Sequence, residues 1–293
     1  MNLMLSPADP SIKLSVVVPC YNEEEVLPEL LRRLVPVCDT VSGGAYEIII
    51  VNDSSKDKTW PMIVEAAKDN KRIVGIDLAR NHGHQIGLTA GLSFTRGQRI
   101  LVIDADLQDP PELLPAMWAR MDDGIDVVYG QRRSRDGETA FKKETAKWFY
   151  RLLDKLTDVK IPQDTGDFRL MSRRVLETLQ SMPEQQRFIR GMVAWAGHRQ
   201  EAFLYDRDKR FAGETKYPLN KMLKLALDAI TSFSVKPLQL AYLLAFFTAF
   251  LAFVMLIWTL IIYFTQATTP GWTSLMAVIL GFGSMQMIVL AIF

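Results

Sequence analysis

Two aspartates separated by one residue follow a short apolar run near the middle of the chain. Asp104 and Asp106 come directly after residues 99–103, whose length and β-branched composition are typical of a strand. Carboxylates at the end of a strand are suitable ligands for Mg²⁺ or Mn²⁺, and such an ion can neutralise the charge on a departing diphosphate. Asp206 and Asp208 form the same motif in a charged stretch into which no clear strand leads, so the motif alone carries little weight. The position of the first pair predicts a metal site, with a solvated acidic loop as the alternative.

Polar residues also end the first two apolar runs of the chain. Tyr21, Asn22 and Glu23 follow the first run, and Asp53 follows the second. A nucleoside requires a hydrogen-bond acceptor for its base, partners for the ribose hydroxyls and an aromatic or apolar surface, and this set can supply them. Each residue alone also fits a turn or a helix cap. Their coincidence at neighbouring strand ends indicates a nucleotide-binding edge.

Strand-length and helix-length segments alternate over the first 130 residues. The predicted strands are residues 13–19, 46–52, 72–78, 99–103 and 126–130. The predicted helices between them are residues 24–34, 57–68, 85–95 and 111–122. This order predicts an α/β fold in which helices cover both faces of a parallel sheet, with ligands at the carboxyl ends of the strands.

The glycines of the third loop and the helix after it have two interpretations. Gly83, Gly87 and Gly91 recur at a spacing of four residues, which favours close packing of a helix on the sheet over a phosphate cradle. The first turn lacks Gly-x-Gly-x-x-Gly, which argues against a dinucleotide-binding dehydrogenase. Further along, helices are predicted over residues 138–157, 175–181 and 186–195, and a strand-like piece over residues 200–205.

The last part of the chain has the composition of a membrane anchor. Residues 237–293 contain no Asp, Glu, Lys or Arg, and the apolar ranges 237–264 and 273–293 each reach the roughly 20 residues that a spanning helix needs. Residues 217–236 carry lysines among apolar positions at helical spacing, which predicts an amphipathic helix at the membrane surface or a core helix. The basic excess before the first span predicts a cytoplasmic body, since the start of the chain lacks a secretory signal pattern.

Overall charge and cysteine content exclude other classes. A net charge of +1 argues against a general nucleic-acid binder. Cys20 and Cys38 form neither a disulfide framework nor a metal-ligand pattern.

Several strings, in this order, make a family resemblance apparent. They are VVVPCYNEEE, VNDSSKDKT, ARNHGH, IDADLQDPPE, GDFRLMSRRV, RFIRGM and RFAGETKY, followed by two apolar segments. In these strings the chain resembles the family 2 glycosyltransferases that attach a sugar to polyisoprenyl phosphate, and most closely the bactoprenol glucosyltransferases. Dolichyl-phosphate mannosyltransferases and aminoarabinose-derivative transferases are related groups. The resemblance extends over nearly the whole chain from Leu14.

The resemblance implies a fold and a role for each matching residue. It implies a GT-A-type domain over residues 1–216, a juxtamembrane helix over 217–236 and a transmembrane hairpin over 237–293. Asp106 would bind Mg²⁺ or Mn²⁺ with Asp104 nearby, and Asp167 would be the candidate base. The implied contacts to nucleotide, donor and acceptor are Pro19, Tyr21, Asn22, Glu23, Asp53, Gln108, Arg132, Arg133, Arg135, Arg210 and Lys216, of which Arg210 is also implied in catalysis.

The resulting prediction is inverting transfer of one hexose to a polyisoprenyl phosphate at the cytoplasmic face of the inner membrane. UDP-glucose is the favoured donor, with GDP-mannose, a UDP-aminoarabinose derivative or UDP-GlcNAc as alternatives. A processive polysaccharide synthase, a non-catalytic membrane scaffold and a homo-oligomer remain open. The chain departs from the family in having Ser54 where a glycine is usual, and in ending before a basic segment that usually follows the second span. If the backbone at Ser54 is left-handed, the serine costs about 1 kcal/mol.

Overall fold

The structure is a computed structural model that describes residues 6–133, 162, 165–184, 187–206, 236–265 and 271–292. Within these ranges the chain forms two compact units, one up to Asp206 and one from Lys236 onward. The predicted helix over residues 138–157 and the predicted juxtamembrane helix, apart from its last residue Lys236, lie outside the described residues.

A seven-stranded sheet forms the centre of the first unit. Its strands are β1 (Leu14–Cys20), β2 (Tyr46–Asn52), β3 (Ile73–Asp77), β4 (Arg99–Val102), β5 (Val127–Arg132), β6 (Thr165–Ser172) and β7 (Gln200–Tyr205). They lie in the order β3-β2-β1-β4-β6-β5-β7. All neighbouring pairs are parallel except the two that involve β6, which is antiparallel to β4 and to β5. The predicted α/β fold with a mostly parallel sheet is confirmed.

Helices connect the strands and complete both units. They are α1 (Leu27–Ser42), α2 (Thr59–Asp69), α3 (His84–Phe94), α4 (Leu114–Asp122), α5 (Arg173–Ser181), α6 (Ile189–Trp195), α7 (Lys236–Thr265) and α8 (Trp272–Ile292). A 3₁₀ turn, Pro111–Leu113, precedes α4. The prediction that the first helix ends at residue 34 was wrong, because α1 continues through Pro36 to a left-handed Gly43.

The strand β6 was not predicted, and its sequence explains the omission. It reads TGDFRLMS, in which a charged residue stands at two of the eight positions. Its first seven residues are nevertheless buried, including Asp167 and Arg169. Charged side chains are rarely buried unless they are paired, so nothing local distinguishes this segment from an exposed loop. Its place in the sheet depends on partners from elsewhere in the chain.

The core of the first unit lies on both faces of β1 and β2. All seven residues of each strand are buried, as expected for strands that helices cover on both sides. On one face, Leu27, Leu30 and Leu34 of α1 join the cluster that contains Val16 and Ile48. On the other face, α3 packs against β1 and β2. The helices thus hold the carboxyl ends of the central strands at a fixed edge.

The close approach of α3 to the sheet depends on Gly91. A Cβ atom at Gly91 would lie 2.4 Å from Cγ1 of Val17 and 2.9 Å from Cγ2 of Val51. At Gly87 the nearest side-chain atoms would lie 3.9 Å and 4.0 Å away, which is ordinary contact. Gly83 instead precedes the helix with φ 90° and ψ 159°. The packing interpretation of the glycine repeat is therefore confirmed for Gly91. At Gly83, glycine is favoured because a positive φ of 90° is rarely adopted by other residues.

The second unit consists of α7 and α8, which pack against each other. Within the described residues, Tyr242–Thr265 is long and apolar enough to cross a membrane, with a mean hydropathy of 2.5. The shorter apolar segment Ser274–Met287 lies in α8. The first predicted span thus has a candidate helix, whereas the two-span hairpin stays a prediction.

Substitution of Gly91 by alanine should destabilise the first unit. The added methyl group would overlap two valines whose β-branched side chains have little freedom to move, at a cost of about 1–3 kcal/mol. Gly87→Ala is the matched control in the same helix, and should be neutral or stabilising by up to about 1 kcal/mol because alanine favours a helix. Equilibrium unfolding in detergent would measure both. Equal effects of the two substitutions would contradict the packing role of Gly91.

Candidate functional site

The pairing of β4 with β6 brings two acidic residues close together. Val102, the last residue of β4, pairs with Arg169 in the antiparallel ladder. Asp104 follows Val102 by two residues, Asp167 precedes Arg169 by two, and the charge of Asp167 acts on the carboxyl group of Asp104. Two carboxylates this close repel each other, and a cation between them offsets the repulsion.

His84, the first residue of α3, supplies that cation. Its Nε2 atom lies 3.0 Å from Oδ2 of Asp167 and 3.6 Å from Oδ1 of Asp104. Burial lowers the pKa of His84, but the charges of Asp104 and Asp167 outweigh burial and raise the pKa to about 9. At neutral pH the imidazole is charged and joins the two carboxylates.

Asp167 is enclosed by further cations and by one amide. Gln85 donates from Nε2 to Oδ2 of Asp167 at 2.9 Å. On the other oxygen, Nη2 of Arg190 lies 3.6 Å and Nη2 of Arg169 lies 3.7 Å from Oδ1. Burial raises the pKa of Asp167, but Arg190, His84 and Arg169 outweigh burial and hold this pKa far below its usual range. The predicted base is thus an ionised carboxylate in a cationic enclosure.

Asp104 and Asp106 present oxygens suitable for a divalent cation. Oδ1 of Asp104 is buried and accepts no hydrogen bond among the described residues. Burial, with the neighbouring carboxylates Asp167, Asp109 and Asp106, raises the pKa of Asp104 to about 6 against the opposing effect of His84. Oδ1 of Asp106 accepts the backbone N–H of Gln108 at 3.1 Å.

The donor set fits a metal that is shared with a diphosphate. In the part of the chain that the structure describes, no three His, Cys, Asp or Glu side chains gather to hold a metal alone. Mg²⁺ usually binds to one or two carboxylates and completes its shell with phosphate oxygens and water. Asp104, which has a buried oxygen without a hydrogen bond among the described residues, and Asp106 suit that arrangement.

Asp53 has a clear contact with the loop before α3. Its carboxylate accepts the backbone N–H of His82 at 2.7 Å and that of Gly83 at 2.8 Å. Both carboxylate oxygens therefore order the turn that begins α3 and positions His84 and Gln85. The predicted nucleotide contact of Asp53 stays a prediction beside this structural role.

Residues 15–180 match the family described as glycosyl transferase family 2. The chain belongs to this family. The Bacillus subtilis protein named uncharacterized glycosyltransferase YkcC is 47% identical over 284 residues, which are 96% of this chain and 87% of that protein. The bactoprenol glucosyl transferase of Shigella phage SfX is 37% identical over 279 residues, covering 94% of this chain and 91% of the phage protein. The chain is thus an enzyme, a hexosyltransferase.

A solved structure shares the fold of this family 2 glycosyltransferase. Glucosyl-3-phosphoglycerate synthase from Mycobacterium tuberculosis, in complex with Mn²⁺, uridine diphosphate and phosphoglyceric acid, aligns with a TM-score of 0.50 at 19% identity. The alignment covers 75% of this chain and 76% of the synthase. The likeness supports the predicted GT-A-like architecture.

Left-handed backbone occurs at three strand ends of this glycosyltransferase. Asn22, Ser54 and Leu107 have φ values of 54°, 58° and 57°. Asn22 accepts the backbone N–H of Lys56 on Oδ1 at 2.8 Å, and its own N–H donates to Ser55 at 2.9 Å. Asn22 therefore ties the loop after β1 to the loop after β2, which is the turn role that the sequence left open.

Of the remaining residues predicted to contact nucleotide, donor or acceptor, some lie within the described part of the chain and some outside it. Pro19 lies in β1 opposite Val51. The partly buried Tyr21 and Glu23 follow this strand, and the Glu23 N–H donates to Oγ1 of Thr59 at 2.8 Å. Arg135, Arg210 and Lys216 lie outside the described residues, as does Asp208.

Arg132 ends β5 beside the antiparallel strand. A Cβ atom on Gly166 would lie 3.3 Å from Nη2 of Arg132, so the small residue makes room for the guanidinium. The hydroxyl group of Tyr205 donates to Asp109, and burial together with this carboxylate raises the Tyr205 pKa. The positive charge of Arg132 opposes this rise in the Tyr205 pKa.

The second Asp-x-Asp pair requires a correction. Asp206 follows β7 directly, so the expectation that no strand leads into this pair was wrong. Its carboxylate lies 3.5 Å from Nη1 of Arg133, and both side chains are exposed. An exposed ion pair of this kind contributes little stability. The distinction between the two pairs lies instead in burial, since Asp104 has a buried oxygen.

Sequence reasoning did not find Gln85, Arg169 and Arg190. Arg169 stands two residues after Asp167, a spacing that puts both on one face of a strand, but the strand itself was not predicted. Gln85 belongs to α3, which is distant in sequence from β6. Arg190 belongs to α6, and α5 lies between β6 and α6 in the chain. No local pattern identifies such contacts.

Substitution of Ser54 by glycine should preserve the site and slightly stabilise the fold. The left-handed backbone costs a non-glycine residue about 1–2 kcal/mol, whereas glycine loses about 0.5–1 kcal/mol more conformational entropy on folding. The expected gain in unfolding free energy is therefore about 0–1.5 kcal/mol. Gly43→Ser is the reverse control, since Gly43 has φ 65° and open space around it. Equilibrium unfolding should show a higher unfolding free energy for Ser54→Gly and a lower one for Gly43→Ser. Destabilisation by Ser54→Gly would refute the proposed backbone strain at Ser54.

Proposed function

We propose that this chain transfers one glucose from UDP-glucose to a polyisoprenyl phosphate, undecaprenyl phosphate in bacteria, with inversion at the anomeric carbon. The products are polyisoprenyl-phosphate-glucose and UDP. The observation that carries the proposal is the His84 bridge between Asp104 and Asp167, at 3.6 Å and 3.0 Å. It supports a single centre in which the diphosphate side and the acceptor side of a transfer reaction meet.

The reaction itself is a displacement at the anomeric carbon of the sugar. A phosphate oxygen of the acceptor forms a bond to this carbon, while the bond to the diphosphate breaks and its electron pair leaves with UDP. Asp104 and Asp106 would hold Mg²⁺ or Mn²⁺, which when bound neutralises the charge on the diphosphate. A phosphate monoester loses its second proton with a pKa near 6, so the acceptor is already largely ionised at neutral pH.

Asp167 therefore has little need to act as a strong base. The cations around it stabilise its ionised form and weaken it as a proton acceptor. Its carboxylate instead fixes Arg190, whose guanidinium lies 3.6 Å away and is 22% exposed. Guanidinium groups suit the recognition of phosphate. We infer that Asp167 mainly orients donor and acceptor.

The second unit and the relatives support the proposed acceptor and the proposed location. A helix able to cross a membrane, Tyr242–Thr265, supports an enzyme that works on a lipid at the membrane surface. The name of the phage relative, bactoprenol glucosyl transferase, supports a polyisoprenyl phosphate acceptor and glucose as the sugar. We propose a cytoplasmic domain over residues 1–216, a juxtamembrane helix over 217–236 and a two-span anchor over 237–293 in the inner membrane. Arg132, Arg135, Arg210 and Lys216 are proposed to contact phosphate groups.

A transfer assay tests this proposal directly. The full chain in detergent is incubated with undecaprenyl phosphate, Mg²⁺ or Mn²⁺, and radiolabelled UDP-glucose, with GDP-mannose, UDP-GlcNAc and a UDP-aminoarabinose derivative as competing donors. Label should enter the lipid phase from UDP-glucose and should disappear with excess EDTA. Label from another donor alone would replace glucose, and transfer that resists EDTA would refute the metal role of Asp104 and Asp106.

Two substitutions should separate the metal side from the acceptor side. Asp106→Ala should lower kcat/KM by at least about 1,000-fold, because the departing charge loses its counter-ion. Asp167→Asn should leave measurable activity, with a loss of about 10-fold to 100-fold, if the carboxylate orients and does not remove a proton. Total loss in both variants would contradict the orienting role.

A fold control is needed for the second of these substitutions. Removal of the Asp167 charge leaves His84, Arg169 and Arg190 without their buried counter-ion, which can cost about 3–5 kcal/mol. Thermal unfolding and UDP binding of each variant should therefore be measured beside its kinetics. Activity is compared per folded, UDP-binding molecule.

A further inference from the structure

Gln85 makes two hydrogen bonds that connect distant parts of the fold. Its Nε2 donates to Oδ2 of Asp167 in β6 at 2.9 Å. Its Oε1 accepts the backbone N–H of Ile189, the first residue of α6, at 3.0 Å. One side chain at the start of α3 thus joins β6 to α6.

The chemistry of the two partners fixes the orientation of this amide. The ionised carboxylate of Asp167 can only accept hydrogen bonds, and the Ile189 N–H can only donate. A flipped amide would direct its oxygen at the carboxylate and its NH₂ at the backbone N–H, and both bonds would be lost. Glutamine is therefore suited to this position, whereas glutamate can keep only the bond to Ile189 and leucine can keep neither.

Both neighbouring side chains hold the same oxygen of Asp167. His84 and Gln85 contact Oδ2, while Oδ1 is buried and has no hydrogen-bond partner among the described residues. The nearest cationic nitrogens to Oδ1 are those of Arg190 and Arg169, at 3.6 Å and 3.7 Å. The carboxylate is consequently held from one side, with Oδ1 directed at Arg190, which follows Ile189 in α6.

We propose that Gln85 is a positioning residue that fixes the carboxylate of Asp167 and the start of α6 relative to each other, and so sets the position of Arg190. This inference rests on the proposed function in that Asp167 and Arg190 act on the transfer reaction. Gln85 is hydrogen-bonded to Asp167 and to Ile189, and it acts through these two partners.

Three single variants separate positioning from simple structural support. Gln85→Glu keeps an acceptor for Ile189 and loses the donor to Asp167, and Gln85→Leu loses both. Gln200→Ala is the matched control, since Gln200 also holds α6, by donation from Nε2 to the Val193 carbonyl at 2.8 Å, and is not among the groups that contact Asp167. We expect kcat to fall about 10-fold or more in both Gln85 variants, with the donor KM within about twofold of wild type. Gln200→Ala should leave kcat unchanged.

A double-mutant cycle with Asp167→Asn distinguishes positioning from a purely structural role. It measures whether the effects of the two substitutions on kcat depend on each other. If Gln85 acts through Asp167, Gln85→Glu should cost less than about threefold in kcat once Asp167 is already asparagine. Losses that multiply would overturn the proposal. So would equal falls in unfolding midpoint and in kcat for Gln85→Leu and Gln200→Ala.

The two proposals fail in distinguishable ways. Absence of transfer to undecaprenyl phosphate by the wild-type chain, with UDP binding intact, overturns the proposed reaction. Transfer by wild type with independent effects of Gln85→Glu and Asp167→Asn overturns only the positioning role.

Discussion

The ionised carboxylate of Asp167, buried inside the sheet, is the constraint on which the site depends. An isolated charge of this kind is far too costly to bury, so it must be paired. The fold supplies His84 from α3, Arg169 from β6 itself and Arg190 from α6. Each cation is in turn held only while these three elements keep their positions. The buried charge of Asp167 can therefore be neutralised only when α3, β6 and α6 have assembled in the first unit.

The antiparallel insertion of β6 gives this charge its place beside Asp104. Its pairing with β4 brings two like charges close together just beyond the end of β4, and such charges repel each other. The repulsion is offset by the shared His84, and it leaves a negative edge that favours a further cation. The proposed affinity for a metal ion and the repulsion within the site thus have one origin, because the same carboxylates would produce both.

Much of the fold could be predicted because its central strands are continuous apolar runs. The central strand Tyr46–Asn52 was predicted to the residue. The edge strand Gln200–Tyr205, which is less apolar, was also predicted to the residue. The strand Thr165–Ser172 was missed because its buried positions include Asp167 and Arg169, whose burial is tolerable only through contacts with α3 and α6. Sequence reasoning fails here because a charged residue in a buried strand is locally unfavourable. The bond from Gln85 to Asp167 joins residues 82 apart, and no local pattern encodes it.

The strained backbone at the strand ends is also locally unfavourable and also depends on contacts from elsewhere in the chain. Asn22, Ser54 and Leu107 each adopt a left-handed backbone at the edge that carries the acidic residues. Such conformations persist only when surrounding contacts hold them, and Asn22 is held by bonds to Ser55 and Lys56. Asp53 then orders the turn that begins α3, where His84 and Gln85 stand. The loop after β2 therefore has two tasks, since it shapes the proposed nucleotide edge and positions the residues that hold Asp167. A change in that loop should consequently affect the proposed metal site and the proposed acceptor site together.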